Sequence, residues 1–123
     1  MIPRSAALAL LLAAASACSG DRTFDDPSQP IEVRAGSGFR LAIDSNQSTG
    51  FRWVLVDSAA LGPLRHVATE YEIDDPNLNG GGGTEIWSFQ APAAGQGVVS
   101  VVNVRPWEKT VPKDTTRFRV TVR

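Results

Sequence analysis

From Ile31 to the C terminus, apolar and polar residues alternate in short runs separated by Gly, Pro, Asn and Asp. Phe39, Leu41 and Ile43 alternate with Arg40, Ala42 and Asp44. Trp87 and Phe89 alternate with Ile86, Ser88 and Gln90, and Phe118, Val120 and Val122 alternate with Arg117, Arg119 and Thr121. A period of two sends successive side chains to opposite faces of a strand, so each run reads as a strand with one buried face. Val98 to Val104 is dense in Val, as a central strand is. Strands are expected near 31–34, 38–43, 52–57, 67–73, 84–90, 97–104 and 116–122. Asp57 to Leu64 has room for a short helical turn, limited by Pro63. About seven short strands in roughly 100 residues predict an all-β, immunoglobulin-like antiparallel β-sandwich.

The first 30 residues break this pattern. Arg4 is followed by an Ala/Leu run from Ala6 to Ala15, then by Ser16, Ala17 and Cys18. A basic start, a short apolar stretch and small residues describe a secretory signal, expected over 1–17. The run has about half of the roughly 20 residues that span a bilayer. Small residues directly before Cys resemble a bacterial lipobox, in which the Cys becomes the lipidated first mature residue; Ala15 stands where the usual pattern has Leu. The alternative is an ordinary signal peptide cut near Ala17, leaving Cys18 as a free thiol. An exposed lone thiol is a liability in an oxidising compartment, which favours the lipid. Residues 18–30 then read as a lipidated Cys and a polar, flexible tether, and 31–123 as the domain. The expected location is the cell envelope, on the periplasmic or outer-membrane face.

Cys18 is the single cysteine, so a disulfide within the domain is excluded and the apolar core must hold the fold. Without Arg4, the 12 basic residues become 11 against 13 acidic, a net charge of −2. This balance gives no electrostatic pull towards nucleic acid.

Three inter-strand loops carry unusual chemistry. In the first, Asn46-Gln47-Ser48-Thr49-Gly50-Phe51-Arg52-Trp53, Gly50 permits a tight bend, and Phe51 and Trp53 face one side. A hairpin turn explains the bend but not the small polar residues at its tip. The second contains Gly80, Gly81, Gly82 and Gly83 after Asp74-Asp75-Pro76-Asn77-Leu78-Asn79. Such a loop is either mobile or lets another surface approach its backbone. In the third, Pro106 of Arg105-Pro106-Trp107-Glu108 stops strand pairing. Trp107, beyond the alternating run, either caps the sandwich or serves as a protein-binding anchor, a role in which Trp and Arg are enriched.

These three motifs, in this order, resemble those of the chagasin-like inhibitors of cysteine proteases: Asn-Pro-Thr-Thr-Gly-Tyr/Phe-x-Trp, Gly-x-Gly-Gly and Arg-Pro-Trp/Phe. Gln47 stands in place of the family's Pro, and Ser48 in place of Thr. The resemblance covers Ile31 to Arg123 and implies a reversible inhibitor of papain-like cysteine proteases. Such an inhibitor would occlude the active-site cleft, and an exposed three-loop edge argues for a working monomer. The resemblance implies a protease-binding set of Asn46, Ser48, Thr49, Gly50, Phe51, Gly80, Gly81, Gly82, Gly83, Arg105, Pro106 and Trp107. Ser48-Thr49-Gly50 would form the central wedge, the glycines would offer bare backbone, and Arg105 and Trp107 would grip the far side. Arg105 would need a carboxylate or carbonyl partner there.

Other function classes find less support. His66 is the single histidine, and nothing in the spacing joins it to a serine and a carboxylate as a catalytic triad needs, so no enzyme and no catalytic residue are expected. Asp75 to Gly80 matches the first half of a calcium loop, but Ile86 falls where the bidentate Glu is required. No zinc spacing and no phosphate-loop Lys exist. No metal and no cofactor are expected. The competing reading is a generic envelope immunoglobulin-like module that binds another protein or a glycan through the same loops.

Overall fold

The structure, a computed structural model, describes residues 21–78, 80–108 and 114–123. The leader 1–17 and Cys18 lie outside the described residues. Eight strands form among those described: β1 (Arg22–Phe24), β2 (Ile31–Val33), β3 (Ser37–Ser45), β4 (Arg52–Val56), β5 (Arg65–Ile73), β6 (Gly83–Ala91), β7 (Gly95–Val104) and β8 (Asp114–Val122). They make two four-stranded sheets, ordered β1-β3-β6-β5 and β2-β8-β7-β4. The expected sandwich is therefore present.

The alternating residues meet between the sheets. Phe39, Leu41, Ile43, Trp87, Phe89 and Ala91 come from one sheet, and Ile31, Val33, Val99, Val101, Phe118, Val120 and Val122 from the other; all are buried. Phe39 and Phe89, directly paired across β3 and β6, stack at 5.4 Å. Burial of apolar surface is the main favourable contribution to the fold, and here no cross-link supplements it. Trp53 and Leu55, the inward phase of β4, are half-buried against this cluster.

Part of the tether expected over 18–30 is instead structured. Arg22–Phe24 adds a parallel strand to β3, with Phe24 paired to Leu41. Phe24 sets its ring edge-on to Phe39 at 6.4 Å, and Arg40 Nη2 donates to the Asp21 carbonyl at 3.0 Å. Three residues are too few to display alternation, so only their edge position and the Phe24 contact give them strand geometry. The short helical turn appears as 3₁₀ geometry over Ser58–Leu61.

Two features of β5 also depart from expectation. It begins at Arg65, and a bulge lies between His66 and Ala68. His66 belongs to this edge strand. Its ring lies against Trp87 and Phe89 at 4.8 and 5.3 Å, with Nε2 2.7 Å from Thr69 Oγ1 and 3.1 Å from the Ala68 carbonyl oxygen.

Candidate functional site

Strand register brings the three singled-out loops to one end of the sandwich. In the first sheet Ser45 pairs with Gly83, and Gly83 with Ile73, so β3, β6 and β5 terminate side by side. In the second, Arg52 pairs with Val104 and Asn103 with Asp114, which lines up β4, β7 and β8. The turns at 46–51, at 74–78 with 80–82, and at 105–108 leave from those ends.

The first turn is built by its own short side chains. Asn46 caps the 3₁₀ turn Gln47–Thr49, its Oδ1 accepting from the Ser48 amide at 3.2 Å and also from the Ser48 hydroxyl. Thr49 Oγ1 donates back to the Asn46 carbonyl at 2.7 Å, and the Gly50 amide to Gln47 at 3.0 Å. Gly50 closes the turn in the left-handed region, at φ 86°, a conformation that disfavours side chains. These local bonds are why Asn, Ser and Thr cluster here: short polar side chains satisfy the turn's own backbone.

The glycine-rich turn is a succession of tight bends. Leu78 donates its amide to Asp75, Gly81 to Leu78, and Asp74 to Gly82, at 3.1, 3.3 and 3.1 Å. Leu78, 59% exposed, stands at its tip. Of the four glycines, Gly83 departs from the expected contact set. It is buried at the start of β6, and a Cβ there would lie 2.5 Å from Tyr71 Cζ. Its lack of a side chain admits the Tyr71 ring, so Gly83 offers no bare backbone to a partner.

The third turn leans on the first. Arg105 Nε donates to the Thr49 carbonyl at 3.0 Å, and its guanidinium carbon lies 4.4 Å from the Phe51 ring centre. Arg105 Nη1 also stands 3.7 Å from Glu108. The carbonyl partner expected on a target is thus supplied inside the molecule, and Arg105 acts as a brace. Trp107 is 67% exposed and rests its ring edge on Gly50, where a Cβ would fall 2.9 Å from Cζ2. Capping of the sandwich by Trp107 is excluded by that exposure. On the opposite flank, Asn46 Nδ2 donates to the Gly80 carbonyl at 3.3 Å. The 46–51 turn is central, with one neighbour tied to each side.

Below the turn lies a residue that sequence reading passed over. Glu85 is buried in phase with Trp87 and Phe89 and accepts hydrogen bonds from the base of the first turn. A carboxylate on the core phase of an alternating strand is the signal that marks it.

Among the described residues no cluster of three or more His, Cys, Asp and Glu is placed to hold a metal ion. The Chagasin family peptidase inhibitor I42 model matches residues 32–122. Chagasin of Trypanosoma cruzi is 33% identical over 94 residues, covering 73% of this chain and 84% of that protein. The chain belongs to the chagasin family. Its fold is similar to that of amebosin in solution, with a TM-score of 0.66 and 22% identity over 85% of this chain and all of that one. It is similar also to the cysteine protease inhibitor EhICP2 of Entamoeba histolytica, with a TM-score of 0.65 and 15% identity, covering 83% of this chain and 95% of that one. A third similar structure is PbICP-C in complex with falcipain-2, with a TM-score of 0.56 and 15% identity, covering 91% of this chain and 96% of that one. As a chagasin-family member the protein is a peptidase inhibitor, not an enzyme.

Proposed function

We propose that this domain inhibits papain-like cysteine proteases reversibly, by seating the rim of 46–51, 74–78 with 80–82, and 105–108 in the active-site cleft. The observation that carries this is the contact of Trp107 with Gly50, together with the Arg105–Thr49 bond. Residues far apart in the chain form one protruding edge with a narrow, uncharged centre. Ser48 and Thr49 are small and exposed, which suits the narrow floor of a cleft. Their backbone is a hydrogen-bonded 3₁₀ turn. It therefore does not offer the extended strand that a protease holds for attack, and the wedge resists cleavage.

The flanks add area. Trp107 offers a large apolar face to one side, and Leu78 and the open backbone of Gly80 offer theirs to the other. Burial of about 1,600 Å² in total is the expected scale for such a complex. The falcipain-2 complex of a similar structure supports a cysteine protease as the partner class.

The test is titration of residues 21–123 against papain and a cathepsin. Sub-micromolar inhibition is expected. No effect at high micromolar concentration on several papain-like enzymes would reject the reading and leave a generic binding module. The pattern of Arg4, the Ala/Leu run and Cys18 further supports a lipid anchor in the cell envelope. Labelled palmitate should enter the full chain and not its Cys18→Ser variant.

A further inference from the structure

Under the tip of the wedge sits a carboxylate that a bound protease would never touch. Glu85 is 1% exposed. Ser45 Oγ donates to its Oε2 at 2.7 Å, Gln47 Nε2 at 3.4 Å and the Trp53 amide at 3.2 Å, while Trp87 Nε1 donates to Oε1 at 3.1 Å. Among the described residues it forms no ion pair. A buried carboxylate is tolerated only where donors replace its water, and here the donors have a particular origin. Ser45 ends β3, Gln47 opens the turn, and Trp53 is the second residue of β4 in the other sheet. One oxygen therefore holds both the entry and the exit of the first loop and ties the two sheets together beneath it.

We propose that Glu85 is the positioning residue that sets the first loop in its binding shape before a protease arrives, with Gln47 as its partner. This rests on the inhibitory reading above. In the family pattern a proline stands at the position of Gln47 and stiffens the chain by itself. Here stiffness comes from side chains: the Gln47 amide reaches Glu85, and the Gln47 backbone N–H donates to Tyr71 Oη at 3.4 Å. Tyr71 Oη in turn donates to the Ser45 carbonyl at 3.5 Å. The floor of the loop is a linked set of polar groups at the edge of the apolar core. Such a set holds one arrangement because any other leaves a buried group unpaired.

The experiment compares the wild-type domain with Glu85→Gln, Gln47→Ala and the double variant. Amide hydrogen exchange is measured on the free domain and inhibition constants against papain. Glu85→Gln keeps the volume but cannot accept from every donor. Exchange at Ser48, Gly50 and Trp53 should accelerate while β8 amides are unchanged, and inhibition should weaken about tenfold. Gln47→Ala should weaken inhibition less, and its effect should vanish in the Glu85→Gln background. Unchanged exchange at 47–53 would overturn the proposal. So would acceleration that spreads equally to β8, faster loop exchange with inhibition intact, or two effects that simply add. If Glu85→Gln does not fold, exchange in Gln47→Ala decides. If the wild-type domain inhibits nothing, the inhibitory reading fails alone, and loop exchange still settles whether Glu85 sets the loop.

Discussion

Gly50 is the point at which backbone conformation and the contact between two loops can be separated by measurement. Alanine there must adopt φ near 86°, which costs an L-residue about 1–2 kcal/mol. Loss of unfolded-chain freedom offsets about 0.4–1 kcal/mol of this. The new Cβ would fall 2.9 Å from Trp107 Cζ2 and closer still to Cη2, whereas carbon atoms meet comfortably at about 3.5–4.0 Å. The indole must therefore withdraw by roughly 1 Å or more. Since Trp107 is mostly exposed, that movement is inexpensive for the fold. The net loss of stability should be about 1 kcal/mol, or a fall in Tm of about 4–8 °C. Inhibition should suffer more, because a displaced anchor of this kind is worth about 2 kcal/mol or more, roughly 30-fold in Ki. Calorimetry gives the first figure and progress curves with papain the second. In a Trp107→Ala background, Gly50→Ala should lose only its backbone contribution. Equal losses in both backgrounds, or an unchanged Ki, would refute the claim that the indole is held in place by Gly50.

Trp107→Ala should itself raise Ki by about 30-fold and leave Tm nearly unchanged, since the ring is largely in solvent; thermal melts and papain titration check both. Arg105→Lys keeps the charge but loses the Nε bond to Thr49 and the guanidinium contact with the Phe51 ring. It should weaken inhibition by about 1 kcal/mol, roughly fivefold, and an unaltered Ki would mean the brace is dispensable. Phe118→Ala empties a fully buried site and should cost about 3–5 kcal/mol in urea unfolding. Its remaining folded fraction should inhibit as wild type does, because Phe118 belongs to the core.

The sandwich was legible because its inner faces are written in alternation. Phe39, Leu41, Ile43, Trp87, Phe89, Phe118, Val120 and Val122 all fall where a period of two puts them. Arg22–Phe24 was not legible, because three residues show no period and their strand state comes from β3. The rim was legible as motifs but not as contacts. Arg105 finds Thr49 across 56 residues and Asn46 finds Gly80 across 34. Such pairings are set by the register of whole strands, which no local pattern records. Hence Arg105 looked like a cation in search of a target, and Gly83 like exposed backbone, until the partner strands were in place. Glu85 shows the converse. Its phase announced burial, but the donors that make burial tolerable lie on β3, β4 and β6 together.

These cross-contacts bear on why three short loops can act as one inhibitor. Ordering six residues, 46–51, costs about 6–12 kcal/mol in backbone entropy alone. Nanomolar binding yields about 12 kcal/mol in total, so a tip ordered only on contact would leave little net affinity. In this molecule the ordering is done by folding. The Asn46 cap closes the turn from within, Glu85 and Tyr71 hold it from below, and Gly80 and Arg105 hold it from the sides. On the proposed mode of inhibition each flanking loop contributes twice, by its own contact with a protease and by fixing its neighbour. That double dependence makes the rim a cooperative unit. The 46–51 sequence moved alone onto another hairpin would keep its cap, but it would lose the shape that its neighbours and floor impose.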